Sequence, residues 1–315
     1  MKRKTGILLL NMGGPRRLND VLPFLKNLFS DREIIRLGPA LLQKPLAALI
    51  ARRRAPKSMV NYQKIGGGSP IAEITSRQAA ALEKLLADHG DFMVRPAMRY
   101  WHPFTAIALQ EMITAGVTDL VALPLYPQYS RATSGSSLLD LREQNKKLGR
   151  NLPLREIRSW PTEPDYIACL ANRIQEGLAL FGNDNVQVVY SAHSLPQKFI
   201  DEGDPYLEEL RLTIAALEEK TGQKGKLCFQ SRSGPVRWLE PSTEDMLISL
   251  AAEGCKNILM MPIAFVSDHI ETLYEIDMLY KDKAKELGMR LESTKGLNDE
   301  PQFICALRNL VLYNY

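Results

Sequence analysis

A histidine and a row of acidic residues in the second half of the chain offer the chemistry needed to move protons and bind metal ions. His193 lies in the segment YSAHSLP, directly after a β-rich run. In the segment SDHIETLYEID, Asp268, Glu271 and Glu275 recur at i, i+3 and i+7, so a helix that begins there presents all three on one face. Like charges held together repel one another unless they bind cations or share protons. The pattern therefore indicates a route for metal ions or for protons.

Each of these features also has a purely structural interpretation. A histidine at the end of a strand is more often a structural residue than a ligand, and a row of carboxylates is usually a solvated helix face. Both segments follow β-rich runs, however, and imidazole with carboxylate suits Fe2+ without trapping it as thiolates would. A Ser-His-Asp hydrolase is disfavoured, because the serines beside His193 lie on the same short loop and no GxSxG segment is present.

The elements that must position these residues are indicated by β-rich runs that alternate with stretches of helical periodicity. The runs are 6–12, 94–99, 119–126, 155–160, 186–192, 226–231 and 257–265. This alternation predicts an α/β fold with parallel sheets covered by helices. The segments GVTDLVALPLYPQYS and GCKNILMMPIAFVSD each read as a helix end, a strand and a proline, which indicates two similar halves.

We therefore predict two similar doubly wound, Rossmann-like domains whose parallel sheets face a central cleft. Residues 1–160 form the first domain and residues 161–315 the second, which carries the His/Glu site. The C-terminal helix either stays with the second domain or packs back on the first. In open α/β sheets, ligands bind beyond the carboxyl ends of the strands, so the loops NMGGP, YPQYS, SAHSLP and FVSDHIETLYE are where chemistry is expected.

The first half contains an insertion, residues 20–57, that has no counterpart in the second half. It is both apolar and basic, and its segment 37–57 carries Leu41, Leu42, Leu46, Leu49 and Ile50, followed by Arg52, Arg53, Arg54 and Lys57. One interpretation is an ordinary amphipathic helix with the leucines in the core. The other is an exposed lip over the cleft, which grips a flat apolar anion or rests on an acidic membrane surface.

The composition argues against a nucleic-acid-binding protein and favours a cytoplasmic one. The chain has 315 residues, 45% of them hydrophobic, and a formal net charge of +4, which is too small to argue for nucleic-acid binding. Its four cysteines form no CxxC pair, which favours reduced thiols in a cytoplasmic protein. The apolar run near the N-terminus is too short for a signal peptide or a membrane span.

Further polar and aromatic groups lie near the predicted strand ends of the first half. The glycine-rich turn IGGGSP is not a Walker loop, and it either cradles a carboxylate or serves as a tight structural turn. Arg99, Tyr100, Trp101, Tyr126 and Tyr129 are the kinds of groups that a flat conjugated ligand needs, although each alone is typical of a core.

Together these segments resemble the ferrochelatase family over nearly the whole chain. The motifs that carry the resemblance are GILLLNMGGP, RRRAPK, YQKIGGGSPI, RYWHP, YPQYS with SGSSL, SAHSLP, DEGDPY, FQSRSGPVRWLEP and PIAFVSDHIETLYEID. The resemblance implies insertion of Fe2+ into a metal-free porphyrin, which is bent so that its pyrrole nitrogens face the metal. Two N–H protons must leave, and histidine is the base suited to neutral pH.

The resemblance also implies roles for individual residues. His193 matches the histidine that binds metal or accepts pyrrole protons, and Glu271 matches the opposing carboxylate. Asp268, His269 and Glu275 match the supporting acidic helix, which in the family is locally widened. The positions that match porphyrin-binding residues or their pocket neighbours are Met12, Arg54, Tyr62, Ser69, Arg99, Tyr126 and Trp160.

The sequence departs from some relatives at three places. Arg131 stands where some relatives have a cysteine for a 2Fe-2S cluster, so no cluster and no tightly bound cofactor are expected. Leu279 stands where some have another glutamate, and Met12 resembles enzymes that use protoporphyrin IX rather than coproporphyrin. The alternatives are a coproporphyrin ferrochelatase, a cobalt chelatase and a non-catalytic porphyrin or haem carrier. The expected location is the cytoplasm, with peripheral contact at the inner face of the cell membrane.

Overall fold

The β-rich runs form two parallel sheets in the computed structural model, which describes residues 3–149 and 151–315. The strands are β1 Thr5–Asn11, β2 Phe92–Met98, β3 Asp119–Pro124, β4 Leu154–Glu156, β5 Gln187–His193, β6 Gly225–Gln230, β7 Asn257–Pro262 and β8 Arg290–Ser293. The helices are α1 Val21–Ser30, α2 Ala40–Lys64, α3 Ile71–Leu86, α4 Thr105–Thr114, α5 Ser136–Lys147, α6 Pro164–Ala179, α7 Gln197–Asp201, α8 Tyr206–Thr221, α9 Thr243–Ala252, α10 Lys281–Glu286 and α11 Pro301–Tyr313. Two segments are π-helical, Arg131–Gly135 and Glu271–Tyr280.

Each sheet belongs to its own compact unit. The first unit comprises the chain up to Trp160 together with Asn298–Tyr315, and its sheet has the strand order β2-β1-β3-β4. The second unit is Pro161–Leu297, with the order β6-β5-β7-β8. All strand pairs are parallel, which confirms the predicted α/β class with two similar sheets.

Strand β8 is absent from the sequence-based prediction. It is a short edge strand in which Leu291 is the buried residue, so the period-2 signal of a strand is weak. Its backbone pairs with β7, where Ile258 lies opposite Leu291. Pairing with a strongly apolar neighbour, rather than its own pattern, therefore makes this segment a strand.

The C-terminal helix packs in the first unit, so the boundaries 161–315 are wrong for the second unit and the alternative of packing back is the one observed. Phe303 of α11 is fully buried, and its ring centroid lies 6.2 Å from that of Trp160. Arg77 of α3 pairs with Asp299 at 3.0 Å just before the helix. An apolar face on α11 is thus buried against first-unit residues, which explains why this segment leaves the second unit.

The insertion after β1 forms α1 and α2, and α2 continues past residue 57 to Lys64. The middle of the buried face of α2 consists of small residues, Ala47, Ala51 and Ala55, at i, i+4 and i+8, with Gln43 and Tyr62 buried on either side of them along the helix. Leu41 is 91% exposed, and Leu42 and Leu49 are about half exposed. The interpretation of these leucines as core residues is therefore wrong, because alanines take the buried face.

Replacing Gly177 with alanine tests how tightly α6 packs on the second sheet. Gly177 is buried, and a Cβ there would lie 2.5 Å from Leu259 Cδ1 of β7. We expect Gly177→Ala to lower the free energy of unfolding by about 1–3 kcal/mol through overpacking, although alanine favours a helix interior by about 1 kcal/mol. Urea denaturation followed by circular dichroism measures the change.

The matched control is Gln175→Ala at an exposed position of the same helix, which is expected to stay within about 0.5 kcal/mol of wild type. Equal stability of Gly177→Ala and wild type would contradict the close packing of α6 on β7.

Candidate functional site

His193 and Glu271 form the central contact of the second unit. His193 ends β5 and Glu271 begins the π-helical segment, and His193 Nδ1 lies 2.7 Å from Glu271 Oε2. The His193 side chain is 37% exposed, whereas that of Glu271 is 12% exposed. The Tyr206 hydroxyl donates to the His193 carbonyl oxygen at 3.0 Å. The pair is thus held from both sides, with the imidazole at its accessible end.

Two polar residues at the end of β6 connect Glu271 to Glu275. Ser231 Oγ lies 3.0 Å from Glu271 Oε2 and 2.6 Å from Glu275 Oε2. Gln230 Nε2 donates to the Glu271 carbonyl at 3.0 Å and to Glu275 Oε2 at 3.3 Å. The sequence analysis did not single out Gln230 or Ser231. Their signal was a polar pair at the end of the β-rich run 226–231, at the same sheet edge as His193.

The π-helix changes the geometry expected for the acidic row. Its i→i+5 bonding widens the helix, and it carries Glu271 and Glu275 into the same hydrogen-bonded group. Asp268 precedes this segment, accepts a bond from Thr272 Oγ1 at 3.1 Å and lies against Gly296. His269 is 4% exposed, and its Nε2 lies 3.9 Å from Glu271 Oε1.

Electrostatics gives the two glutamates opposite protonation preferences. Burial raises the pKa of Glu271, but the adjacent His193 charge and hydrogen bond outweigh it and hold that pKa below its ordinary value. Burial and the charge of Glu271 raise the pKa of Glu275. Burial lowers the pKa of His193, but Glu271 raises it by more, so its net shift is upward. Burial lowers the pKa of His269.

These shifts have a chemical consequence. Glu271 is an anion that stabilises the protonated form of His193, and of the two glutamates Glu275 is the one that takes up a proton first as the pH falls. Within residues 3–149 and 151–315, no group of three or more His, Cys, Asp or Glu side chains is arranged to hold a metal ion. The cysteines Cys169 and Cys228 are buried, and Cys255 and Cys305 are partly buried; all are free thiols.

In the first unit, Arg99 is held in a partly buried polar network. Its guanidinium pairs with Asp31 at 3.0 Å, and Arg99 Nε donates to Ser136 Oγ at 2.8 Å. Asp31 also accepts hydrogen bonds from the Tyr100 hydroxyl and from Ser136 Oγ. Arg99, Asp31 and Tyr100 line a cavity of about 490 Å³. The charge of Arg99 is thus balanced by a neighbour within the same unit.

The glycine-rich turn packs against the NMGGP segment that follows β1. Ser69 N donates to the Pro15 carbonyl at 2.7 Å, and a Cβ on Gly68 would collide with the carbonyl oxygen of Arg16. Only glycine permits this close approach of two backbones. The contacts favour the structural interpretation of the turn and fix Ser69 beside the end of β1.

The other first-unit residues of the sequence-based set lie in different surroundings. Met12 directly follows β1, and its carbonyl accepts a bond from Tyr100 N at 2.9 Å. Tyr126 follows β3, and burial raises its pKa. Arg54 is exposed on α2, and its guanidinium lies 5.5 Å from the centre of the Phe29 ring. Tyr62, on the same helix, is buried at 5% exposure. Trp160 is buried at 4% exposure, and its Nε1 donates to the Pro124 carbonyl.

Replacing Glu275 with glutamine tests the raised pKa of this carboxyl. A raised pKa means that the folded state binds the proton more tightly than the unfolded state, so wild-type stability falls as the pH rises above the ordinary carboxyl pKa of 4.5. A glutamine side chain does not ionise, so the variant does not lose stability in this way as the pH rises. We expect Glu275→Gln to gain stability relative to wild type between pH 5 and 8, by about 1.4 kcal/mol per unit of pKa elevation.

Thermal and urea denaturation of the metal-free proteins across this pH range measure the difference. Glu219→Gln on the exposed face of α8 is the control and should show no such trend. A stability difference that stays constant with pH would contradict the raised pKa.

Two solved structures of chelatases share this fold. SirB from Bacillus subtilis with Fe3+ matches with a TM-score of 0.55 and 12% identity, covering 99% of this chain and 95% of that chain. CbiX, the terminal enzyme for biosynthesis of siroheme in denitrifying bacteria, matches with a TM-score of 0.51 and 12% identity, covering 99% and 100%. At these identities the likeness shows the fold alone.

Other proteins are much more similar to this chain in sequence than these two structures are. A family model of ferrochelatase matches residues 4–315. The ferrochelatase of Desulfotalea psychrophila is 62% identical over 98% of this chain and 96% of the relative, and that of Geotalea uraniireducens is 52% identical over 99% and 98%. This chain belongs to the ferrochelatase family, whose members are metal chelatases of the lyase class.

Proposed function

We propose that this chain inserts Fe2+ into protoporphyrin IX to form protohaem, with release of two protons. The observation that carries the proposal is the contact between His193 and Glu271, with Glu275 joined to it through Ser231. A base supported by a buried anion suits removal of pyrrole protons. Family membership supports the same chemistry, with Fe2+ as a substrate rather than a resident cofactor.

The contact between His193 and Glu271 defines how the base works. The Glu271 carboxylate accepts a hydrogen bond, so Nδ1 of His193 carries the proton and Nε2 keeps the basic lone pair. Nε2 accepts a proton from a pyrrole N–H, and Glu271 stabilises the imidazolium that results. Loss of both N–H protons leaves a dianionic porphyrin that takes up Fe2+. Because Nε2 of His193 accepts only one proton at a time, the imidazolium must release the first pyrrole proton to solvent before Nε2 accepts the second.

The acidic residues provide the proposed contacts for Fe2+. Glu271 and Glu275, with His193 and with Asp268 at the beginning of the row, offer oxygen and nitrogen ligands that suit Fe2+. None is a thiolate, so the metal is not trapped.

The first unit supplies the proposed contacts to the porphyrin. These residues are Met12, Arg54, Tyr62, Ser69, Arg99 and Tyr126. Arg54 is exposed and cationic, which suits a propionate carboxylate, and Met12 favours protoporphyrin over coproporphyrin. Trp160 is buried against Phe303, which supports a packing role more than a contact with ligand.

Anaerobic turnover with protoporphyrin IX and Fe2+ tests the proposal. We expect wild type to convert the free-base spectrum to that of haem, and His193→Ala and Glu271→Gln to lose about 100-fold or more of the rate while still binding porphyrin. His89→Ala, at an exposed position in the first unit, is the control and should turn over normally.

Other outcomes identify the alternatives. Tight porphyrin binding by wild type without turnover would indicate a carrier, and faster turnover of coproporphyrin would indicate a coproporphyrin ferrochelatase. Preferential insertion of Co2+ into a more reduced tetrapyrrole would indicate a cobalt chelatase. A His193→Ala protein that kept most of its rate would contradict the assigned base.

The proposal includes peripheral contact of residues 37–57 with the cytoplasmic face of a membrane. Among the residues described, no helix is both long and apolar enough to cross a bilayer. The exposed Leu41, Leu42 and Leu49 stand beside a basic run, Arg52 to Arg54, on the same helix. Exposed leucines next to basic residues suit an interface with anionic lipid.

A vesicle-binding experiment tests this contact. We expect the triple variant Leu41→Ser/Leu42→Ser/Leu49→Ser to bind phosphatidylglycerol vesicles about tenfold or more weakly than wild type in cosedimentation, because apolar burial is lost. The control Leu180→Ser/Leu212→Ser removes exposed leucines of the second unit and should bind like wild type. Equal binding by the triple variant, or equal binding of wild type to neutral phosphatidylcholine vesicles, would contradict the proposal.

A further inference from the structure

The backbone of Ser231 adopts a conformation that serine rarely takes. Ser231 follows directly after β6 and has a φ of 65°. This is the left-handed region, which costs free energy for a residue with a Cβ and which glycine adopts readily. A serine kept at such a position points to a use for its side chain.

The Ser231 hydroxyl is the point where two acidic side chains meet. Its Oγ lies 3.0 Å from Glu271 Oε2 and 2.6 Å from Glu275 Oε2. Glu271 Oε2 is also the atom that contacts His193 Nδ1 at 2.7 Å. One hydroxyl therefore sets the separation of two carboxylates and the position of the oxygen that faces the imidazole.

Gln230, the residue before Ser231, anchors this arrangement of Ser231, Glu271 and Glu275 to the sheet. Gln230 is 1% exposed, its Oε1 accepts a bond from Ser191 Oγ at 2.6 Å, and its carbonyl accepts a bond from Ser194 N at 2.9 Å. Its Nε2 donates to the Glu271 carbonyl at 3.0 Å. The backbone that carries Ser231 is therefore anchored to β5 and to the π-helix through Gln230.

Without the hydrogen bonds to Ser231, the side chains of Glu271 and Glu275 are expected to move apart. Each has several rotatable side-chain bonds, and like charges repel. We propose that Ser231 is a positioning residue for iron insertion, whose hydroxyl holds Glu271 against His193 and keeps Glu275 beside Glu271. The inference rests on the proposed function and adds a determinant of how Fe2+ is received.

Ser231→Gly and Ser231→Ala separate the hydroxyl from the backbone. Glycine suits a φ of 65° and removes the hydroxyl, whereas alanine removes the hydroxyl and keeps the strain. We expect both variants to raise KM for Fe2+ and to lower kcat/KM for Fe2+ about tenfold to a hundredfold, because misplaced groups lose alignment. KM for protoporphyrin should not change. Ser231→Gly should be more stable than Ser231→Ala, because both lose the hydroxyl and only glycine relieves the strained backbone.

Two measurements complete the test. Fluorescence quenching of protoporphyrin reports porphyrin binding independently of turnover, and Asn151→Gly is a matched control at an exposed position of positive φ, expected to turn over like wild type. A Ser231→Gly protein with wild-type kcat and KM for Fe2+ would overturn the proposal, because backbone conformation alone would then suffice. A Ser231→Gly protein that fails to fold would also overturn it, because the hydroxyl would then serve the fold.

Failure here is distinguishable from failure of the proposed function. Absence of iron insertion by wild type bears on the proposed function, whereas the role of Ser231 is read only from differences between variants of an active enzyme.

Discussion

Burial of two carboxylates beside one imidazole is the constraint on which the second unit depends. A buried anion is costly unless it is paired and hydrogen-bonded. Glu271 meets this requirement through His193 and Ser231, and Glu275 meets it through Ser231 and Gln230. These partners come from the ends of β5 and β6, so two parallel strands must end at one edge and a helix must begin beside them. The doubly wound sheet supplies that edge.

The two units use the same topological positions for different chemistry. Leu10 lies opposite Pro124 in the first sheet, and Ser191 lies opposite Pro262 in the second, so Met12 and His193 each stand two residues past an equivalent point. By the same pairing, Arg99 corresponds to Gln230. A thioether and a guanidinium in the first unit thus replace an imidazole and an amide in the second. The division agrees with a first unit that contacts an apolar anion and a second that handles protons and metal.

Sequence patterns predicted what depends on burial and missed what depends on local backbone geometry. The apolar runs located β1, β3, β5 and β7, and the family resemblance implied that Glu271 opposes His193. The helical spacing alone did not show that the chain widens into a π-helix, which only the family resemblance implied, so the spacing treated Asp268 as an equal member of the row. Neither the φ of Ser231 nor the bonds of Gln230 leave a periodic signal. In α2, the alanines at i, i+4 and i+8 were the better indicator of the buried face, because close packing selects small residues.

The internal pairing of the site has a consequence for how metal is handled. Glu271 Oε2 contacts both His193 and Ser231, and burial with the charge of Glu271 raises the pKa of Glu275. The two glutamates are therefore weaker ligands for a cation than two solvated carboxylates. A resident metal usually has a closed set of deprotonated ligands. A substrate metal needs the opposite, because it must leave the protein for the porphyrin. If these glutamates contact Fe2+ as proposed, the metal competes with a proton at Glu275 and with His193 at Glu271, and this competition weakens its binding. The hydrogen bonds that stabilise the two buried glutamates therefore also oppose tight binding of a metal ion by them.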